Sequence, residues 1–298
     1  MASVQCIRHL FDRNILIDYF CRPRNTPKST IITYFMSHLH SDHSTGLKDG
    51  WHSGTLYCSA DTKRLLDAAY SFPTGVVVPL ELFRWRTVSE DIRVALLPAH
   101  HCFGSVMFVF DFGNIIVVNT GDYRLHPDQL NWTQWPKKID WLMIDSTYHN
   151  PKWSLPTYEE SMIALEDLYR QHKEITLQIH SIGVETFILD WAKQFKHHLR
   201  YKFSSRILLE LLKDMPVEQA HASVLVTDSR RISEGIIVKP CCQWFLMHNQ
   251  KSITVFDGRV YRIWFAQHSS YNENLQLIKL LKPKQISECV LQTNQLRE

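Results

Sequence analysis

The chain has 298 residues and an almost balanced charge, with 33 Lys and Arg against 30 Asp and Glu, so its formal net charge is +3. This length allows one or two domains with a core that needs no disulfides, and the net charge is too small to indicate a polyanionic partner by itself. The seven cysteines include no C-x-x-C spacing, which excludes a disulfide framework or a zinc finger and favours a reducing compartment. No apolar run reaches eighteen residues, so we expect a soluble intracellular protein with no membrane association.

Short β-rich runs dominate the first half of the chain, separated by turn-forming Gly, Pro, Asn and Asp. These predicted strands lie in NILIDYF, TIITYFMSH, IRVALLPAH, SVMFVFDF, NIIVVNTGD and WLMIDSTYHNP. One helix is predicted among them, from Ser59 to Tyr70.

Strand and helix patterns alternate in the second half, which is typical of a parallel sheet and indicates a separate α/β lobe. Thr157 and Glu160 form a capping-box pattern at the start of a predicted helix that runs to Gln171. The segments ITLQIHSIG, VETFILDWAKQFKHHL and SRILLELLKDM follow it. Beyond Gly258 we predict a strand in RVYRIWFAQHSS, a helix from Asn272 to Leu281, and a final strand in KPKQISECVL.

Four potential metal ligands crowd into the segment MSHLHSDHSTG: His38, His40, Asp42 and His43. In an extended chain His38 and His40 point to the same side, because side chains alternate with a period of two. Imidazoles and carboxylates are ligands that suit Zn²⁺, and grouping them without a cation would bury polar groups at a cost. This segment therefore predicts a metal site.

Further ligand candidates come at the ends of other apolar strands. One is His101 in PAHHCFGS, which directly follows His100. The others are Asp122 in NTGDYR and His268 in WFAQHSSYNE. A catalytic zinc takes ligands from several elements and keeps one position open for water, so we expect these side chains to complete the site.

These motifs together resemble those of the β-CASP metallo-β-lactamase nucleases of the Artemis and Apollo type, and the resemblance extends over nearly the whole chain. The segment HLHSDH matches the family motif H-x-H-x-D-H, HCFGS matches H-C-P-G-S, GDYR matches G-D-F-R, and DSTYHNP matches D-x-T-x-x-N-P. The segment HSSY, from His268 to Tyr271, matches the β-CASP motif, and Asp18 matches the first acidic motif.

The resemblance implies a site with two zinc ions. One ion would be held by His38, His40 and His101, the other by Asp42, His43 and His268, with Asp122 bridging the two. Asp18 and Asp145 would accept hydrogen bonds from the outer nitrogens of metal-bound histidines. Asp42, Asp122, Asp18 and Asp145 are thus the expected catalytic carboxylates, although a turn or ion-pair role for Asp18 stays open.

The implied fold is a metallo-β-lactamase αββα sandwich with an inserted β-CASP α/β lobe. The metallo-β-lactamase domain would occupy residues 1–151 and 263–298, and the β-CASP domain residues 152–262. The implied function is zinc-dependent hydrolysis of phosphodiester bonds in DNA repair, as a 5′–3′ exonuclease, a structure-specific endonuclease, or both. The expected partner is DNA, single-stranded or with single-strand/duplex junctions, and the expected location is the nucleus.

Several positions bear on the substrate. Val290 occupies the position after LKPK where DNA-cutting relatives place valine and RNA-cutting relatives place histidine. Val184 replaces the lysine expected to hold a 5′-phosphate, which leaves the choice between exonuclease and endonuclease open. Hydrogen bonds to a substrate phosphate are expected from Ser181, Ser269 and Ser270. The segment WAKQFKHHLRYKFSSR is a candidate phosphate-binding strip or a solvated helix face.

Three alternatives remain open at this point. An RNA-processing β-CASP nuclease would carry the same metal motifs. A catalytically weak scaffold that keeps zinc while binding nucleic acid or protein fits the unusual Phe103 and Val184. A small-molecule metallohydrolase would share the metal chemistry, but the large middle lobe disfavours it.

Overall fold

The computed structural model describes residues 5–6, 14–24, 26–180, 182–216, 221–232, 235–258 and 260–289. The chain divides into two compact units: the first combines residues up to Pro151 with those from His268 onward, and the second comprises Lys152–Gln267. The boundary after Gln267 lies later than the predicted limit at 262, because the strand Val260–Trp264 pairs within the sheet of the second unit.

Two sheets form the interior of the first unit. The five-stranded sheet has the order β1-β2-β3-β4-β5, with β1 Gln5–Cys6, β2 Ile15–Ile17, β3 Thr33–Phe35, β4 Thr55–Ser59 and β5 Val77–Leu80. The six-stranded sheet has the order β17-β10-β9-β8-β7-β6, with β6 Arg86–Ser89, β7 Ile92–Pro98, β8 Val106–Asp111, β9 Ile116–Asn119, β10 Trp141–Ile144 and β17 Gln285–Glu288. The strands β2 to β5 are mutually parallel, as are β9, β10 and β17.

The two sheets pack face to face through a shared apolar core. Ile17 and Phe35 from the first sheet pack with Val94, Phe108 and Phe110 from the second, and all five side chains are buried. Burial of this much apolar surface is the main stabilising contribution to a sandwich of this kind.

Helices cover the outer faces of both sheets. Helix α1, Ala60–Ala69, contacts β4 and β5, and Ser59 caps it by accepting a hydrogen bond from Thr62 N at 3.0 Å. Helix α6, Tyr271–Leu281, places Leu277 in a second core with side chains of the six-stranded sheet. The layers are therefore helix, sheet, sheet and helix, and the predicted αββα sandwich is confirmed.

The second unit is a mostly parallel sheet with helices along its connections. Its order is β12-β13-β11-β14-β16-β15, with β11 Ile175–Gln178, β12 Leu199–Lys202, β13 Val224–Thr227, β14 Ile236–Cys241, β15 Thr254–Phe256 and β16 Val260–Trp264. Its helices are α2 Tyr158–His172, α3 Val184–Phe195, α4 Arg206–Leu211 and α5 Gln243–Met247. Helix α2 begins with the predicted capping box between Thr157 and Glu160. Within the described ranges, no helix combines the length and apolarity needed to cross a bilayer.

Candidate metal centre

The candidate ligands follow the carboxyl ends of strands in the first unit. His38, His101 and Asp122 each lie three residues after the last residue of β3, β7 and β9 respectively. Short loops after strands bring polar side chains from distant parts of the chain to one edge of the sandwich, which is where parallel sheets commonly bind ligands.

Three imidazoles meet at this edge. His38 Nε2 lies 3.0 Å from His40 Nδ1, and His101 Nε2 lies 3.1 Å from the same His40 nitrogen. Zn–N bonds of about 2.0–2.1 Å in tetrahedral geometry place ligand nitrogens about 3.3 Å apart, so this triangle is close to the spacing a zinc ion requires. Cys102 belongs to the same group, whose potential ligand atoms all lie within 4.8 Å of one another.

Asp122 connects this triangle to further histidines. Its Oδ2 lies 3.1 Å from His43 Nε2, 3.8 Å from both His38 Nε2 and His101 Nε2, and 3.9 Å from His268 Nδ1. Two more potential ligand groups contain it, one with His38 and His43 and one with His101 and His268. A single carboxylate oxygen therefore lies within 4 Å of four imidazoles.

Asp18 orients the loop that carries the first histidines. It accepts hydrogen bonds from Ser37 N at 2.7 Å and Ser37 Oγ at 2.6 Å, and its Oδ2 lies 2.9 Å from His43 Nδ1. With Nδ1 bound to this carboxylate, His43 Nε2 faces Asp122. Asp18 itself has the left-handed φ of 54°, a conformation that costs roughly 1–2 kcal/mol in a non-glycine residue and that these hydrogen bonds offset.

Asp145 plays the corresponding part for His268. Its Oδ2 lies 2.8 Å from His268 Nδ1, and it also accepts hydrogen bonds from Tyr123 N at 3.3 Å and Thr147 N at 2.9 Å. Burial opposes a charge on His268, but Asp145 and Asp122 together raise the pKa of the imidazole to about 9. Asn274 supports this arrangement by donating to the Asp145 carbonyl at 2.8 Å.

The electrostatics of the centre separate its histidines into two kinds. Burial, followed by the neighbouring His43, lowers the pKa of His38 well below its usual value, so this imidazole is neutral. Burial also opposes charge on His43, but Asp122 and Asp18 raise its pKa well above the usual value. Burial would raise the pKa of Asp122, but His43 and His268 lower it well below the usual range. The anionic Asp122 thus faces the ring nitrogens. Imidazole nitrogens and a carboxylate form a donor set that fits a divalent metal ion.

Asp42 stands somewhat apart from the other candidates. Its Oδ2 lies 3.8 Å from His43 Nε2, and 45% of its side chain is exposed. Among the described residues it belongs to none of the three groups with ligand atoms within 4.8 Å of one another.

The serines predicted to contact a substrate phosphate have partners within the protein. Ser269 is buried, and its Oγ accepts a hydrogen bond from Leu125 N at 2.8 Å. Ser270 caps helix α6, where its Oγ accepts from Glu273 N at 3.3 Å. Their role toward a phosphate stays a prediction, and Ser181 and Val290 lie outside the described residues.

Three residues of the site were not predicted from the sequence. Cys102 lies beside His101, and that adjacency is the one sequence signal that could have indicated it. Ser37 contacts both Asp18 and His38, its Oγ lying 2.9 Å from His38 Nδ1. Asn274 also accepts a hydrogen bond from Tyr123 Oη at 2.5 Å. A serine and an asparagine carry no pattern that distinguishes them from ordinary helix or loop residues.

An αββα sandwich with clustered His and Asp side chains at its strand ends has the architecture of the metallo-β-lactamase class. A solved structure described as a protein of unknown function from Enterococcus faecalis V583 shares the fold, with a TM-score of 0.64 at 14% identity over 91% of this chain and 78% of that one. No protein-family model matches the chain.

Curated relatives narrow the relationship further. The chain is 32% identical to the 5′ exonuclease Apollo of Gallus gallus over 84% of this chain and 56% of that protein. It is 29% identical to protein artemis of Gallus gallus, over 87% and 44%, and 26% identical to the DNA cross-link repair protein SNM1 of Arabidopsis thaliana, over 85% and 60%. The chain spans about half the length of the curated relatives it matches. These proteins are its homologues, and the relationship to β-CASP DNA repair nucleases predicted from its motifs is confirmed.

Proposed function

We propose that this chain is a zinc-dependent DNA nuclease that hydrolyses phosphodiester bonds during DNA repair, as a 5′–3′ exonuclease, a structure-specific endonuclease, or both. One observation carries the proposal: Asp122 Oδ2 lies 3.1–3.9 Å from nitrogens of four histidines that come from three separate parts of the sequence. The names of its relatives, a 5′ exonuclease and a DNA cross-link repair protein, support DNA as the substrate.

The same residues supply a plausible set of ligands for two zinc ions. One ion would bind His38, His40 and His101, and the second would bind His43, His268 and Asp42, with Asp122 between them. Asp42 Oδ2 lies 3.8 Å from His43 Nε2, which places this carboxylate beside the second group. Two zinc ions about 3.5–4 Å apart lower the pKa of bound water toward ~7 and stabilise the charge that develops on a phosphate during hydrolysis.

The chain's own residues prepare the site for this chemistry. Asp18 and Asp145 hold the Nδ1 atoms of His43 and His268, which fixes each ring orientation. Asp122 supplies the negative charge that balances the cations. Burial of this carboxylate strengthens its electrostatic interactions relative to those in water. Asp42, whose side chain is 45% exposed, would add a second carboxylate beside His43.

The second unit would be the β-CASP domain, which the sequence predicts at residues 152–262. We assign single strands, or junctions between single strand and duplex, as the form of DNA bound, and the nucleus as the location.

Val184 stands where the resemblance places a lysine that holds a 5′-phosphate. It is buried at the start of α3, so no lysine at this position can hold that phosphate. Cleavage should therefore be insensitive to a 5′-phosphate.

The test is cleavage of 3′-labelled DNA strands with either a 5′-phosphate or a 5′-hydroxyl, a DNA hairpin, and an RNA strand of equal sequence, by the zinc-loaded protein. We expect cleavage of both DNA strands at similar rates and little cleavage of RNA. Asp122→Asn should abolish cleavage, whereas Asp49→Asn should retain it, because Asp49 is an exposed carboxylate that accepts a hydrogen bond from Ser71 N at 2.8 Å. Equal activity of wild type and Asp122→Asn would refute the site, and preference for RNA would overturn the assignment of DNA.

A further inference from the structure

A cavity of about 1020 Å³ lies in the second unit, beside the ends of two parallel strands. Gln178, which lines it, is the last residue of β11, and Asp228 directly follows β13. Strand β11 lies between β13 and β14 in the sheet. The connection from β11 to β12 therefore runs toward one edge of the sheet, and the connection from β13 to β14 runs toward the other edge. Open parallel sheets bind ligands at such positions, outside the carboxyl ends of the strands.

The charged side chains around this cavity are mainly cationic. Arg230, Arg231 and Lys239 line it together with His180, and Asp228 is the one carboxylate among the lining residues that the structure describes. Both arginines are exposed, and Lys239 is half-buried. Within the part of the chain that the structure describes, none of the three cations forms an ion pair with a carboxylate.

Asp228 offsets part of this positive charge, and its oxygens also accept hydrogen bonds from a neighbouring segment. It accepts hydrogen bonds from Ser204 N at 2.9 Å and Ser204 Oγ at 3.0 Å, and from Ser205 N at 2.7 Å. These bonds fix the turn that leads into α4. Among the described lining residues, three cationic side chains thus accompany one carboxylate, which leaves an excess of positive charge.

The loop that presents the arginines is held in place by specific contacts. Gln178 Nε2 donates to the Ser229 carbonyl at 2.6 Å, and Ser229 N donates to Thr227 Oγ1 at 3.0 Å. Arg231 N in turn donates to Ser229 Oγ at 3.2 Å. The loop backbone is thus ordered, which reduces the entropy that binding a ligand would cost.

The neighbouring cations also act on one another. Burial, followed by the charges of Lys239 and Arg230, lowers the pKa of His180. Burial, followed by the charge of Arg262, lowers the pKa of Lys239. A bound anion would relieve this repulsion.

We propose that this cavity binds backbone phosphates of a nucleic-acid strand, with Arg230, Arg231 and Lys239 as the phosphate contacts. The inference rests on the proposed function for the identity of the strand as DNA. The cavity volume is at the upper end of the range for small-ligand sites and accommodates a nucleotide unit as well as a phosphate. Arginine suits this role because its planar guanidinium donates two parallel hydrogen bonds to phosphate oxygens.

The test measures binding of the zinc-loaded full chain to a fluorescent single strand with phosphorothioate linkages, which resist hydrolysis, over a range of salt concentrations. Each lost contact with a single-strand phosphate should reduce the slope of log Kobs against log salt by about 0.7. Arg230→Gln/Arg231→Gln should therefore reduce the slope by about 1.4, and Lys239→Gln by about 0.7. The matched control is Lys213→Gln/Lys251→Gln, which removes two exposed charges of the same unit outside the cavity and should leave the slope unchanged.

Equal slopes for the cavity variants, the control and the wild type would overturn the proposal. Inorganic phosphate and a nucleoside monophosphate are tested as ligands in parallel by thermal shift. If either stabilises the wild type but not the cavity variants while the strand slope stays unchanged, the cavity is a small-anion site and the strand contact is wrong. Binding does not depend on cleavage, so a wild type that fails to cut DNA but shows the slope change would refute the proposed function and leave this inference standing.

Discussion

The substitution Asp18→Asn tests how the site controls the tautomer of His43. In the wild type the carboxylate accepts from Ser37 N at 2.7 Å through Oδ1 and lies 2.9 Å from His43 Nδ1 through Oδ2. An asparagine that keeps the bond from Ser37 N must place its amide NH₂ against His43 Nδ1. Nδ1 would then have to accept, and the ring proton would move to Nε2, the nitrogen that faces Asp122. A protonated nitrogen cannot bind a metal ion.

The expected size of the effect follows from this change. Loss of a carboxylate that orients a metal-bound histidine costs about 10- to 100-fold in metal affinity. That range corresponds to about 1.4–2.7 kcal/mol. The fold should survive, because the substitution is nearly isosteric and the apolar core shared by the two sheets does not include Asp18.

Competitive titration with a chromophoric zinc chelator measures this affinity directly. Asp49→Asn is the control, since it makes the same chemical change at an exposed carboxylate that accepts from Ser71 N. Circular dichroism checks that both variants fold. A zinc affinity for Asp18→Asn within twofold of the control would refute the tautomer reasoning.

Three further predictions concern stability. In metal-free protein the His268 pKa of about 9 means that the charged imidazole contributes its full stabilisation below its ordinary value of about 6.5 and loses it as the pH rises through 9. Urea unfolding should show a decrease of about 3 kcal/mol over that window, and a flat profile would contradict it. Gly121→Ala should lower the free energy of unfolding by about 1–3 kcal/mol and weaken zinc binding. The reason is that Gly121 has a φ of +52° and that a Cβ added there would lie 2.9 Å from Ser37 Cβ. No change in thermal unfolding or in the zinc titration would contradict this prediction. Phe108→Ala should cost about 3–5 kcal/mol in urea unfolding because Phe108 is fully buried between the sheets, and a cost below 1 kcal/mol would place the core elsewhere.

Elements with strong local signals were predictable from the sequence. Helix α1 occupies Ala60–Ala69 inside the predicted range Ser59 to Tyr70, because the Ser59 cap and the Tyr70 end are both local features. Several strands were not predicted, among them β4, β5, β6 and β12 to β15. Strand β6 is mostly exposed and has little apolar alternation, so its structure depends on pairing with β7, which no local pattern reveals.

The candidate site likewise contains residues that the sequence predicted and residues that it did not. Clustering of His38, His40 and His43 in one segment, and the position of His101 at a strand end, predicted a metal site, and the structure brings these imidazoles together. The contacts that Ser37 makes there depend on the three-dimensional approach of segments far apart in the sequence.

The residues that line the cationic cavity of the second unit were also not predicted from the sequence. The sequence offered the strip WAKQFKHHLRYKFSSR as a candidate for phosphate binding or as a solvated helix face, because its charges are contiguous. In the structure Trp191 of this strip is buried, and Arg200 donates to the Ala222 carbonyl at 2.8 Å. The cavity instead combines Arg230 with Lys239, which lie on different segments and meet only through the sheet.

Anomalous X-ray diffraction at the zinc edge, from crystals of the zinc-loaded chain, tests the metal centre most directly. We predict one strong peak within bonding distance of His38, His40 and His101, and a second on the other side of Asp122, beside His43 and His268. Absence of any peak at these side chains, with zinc bound elsewhere or not at all, would contradict the account.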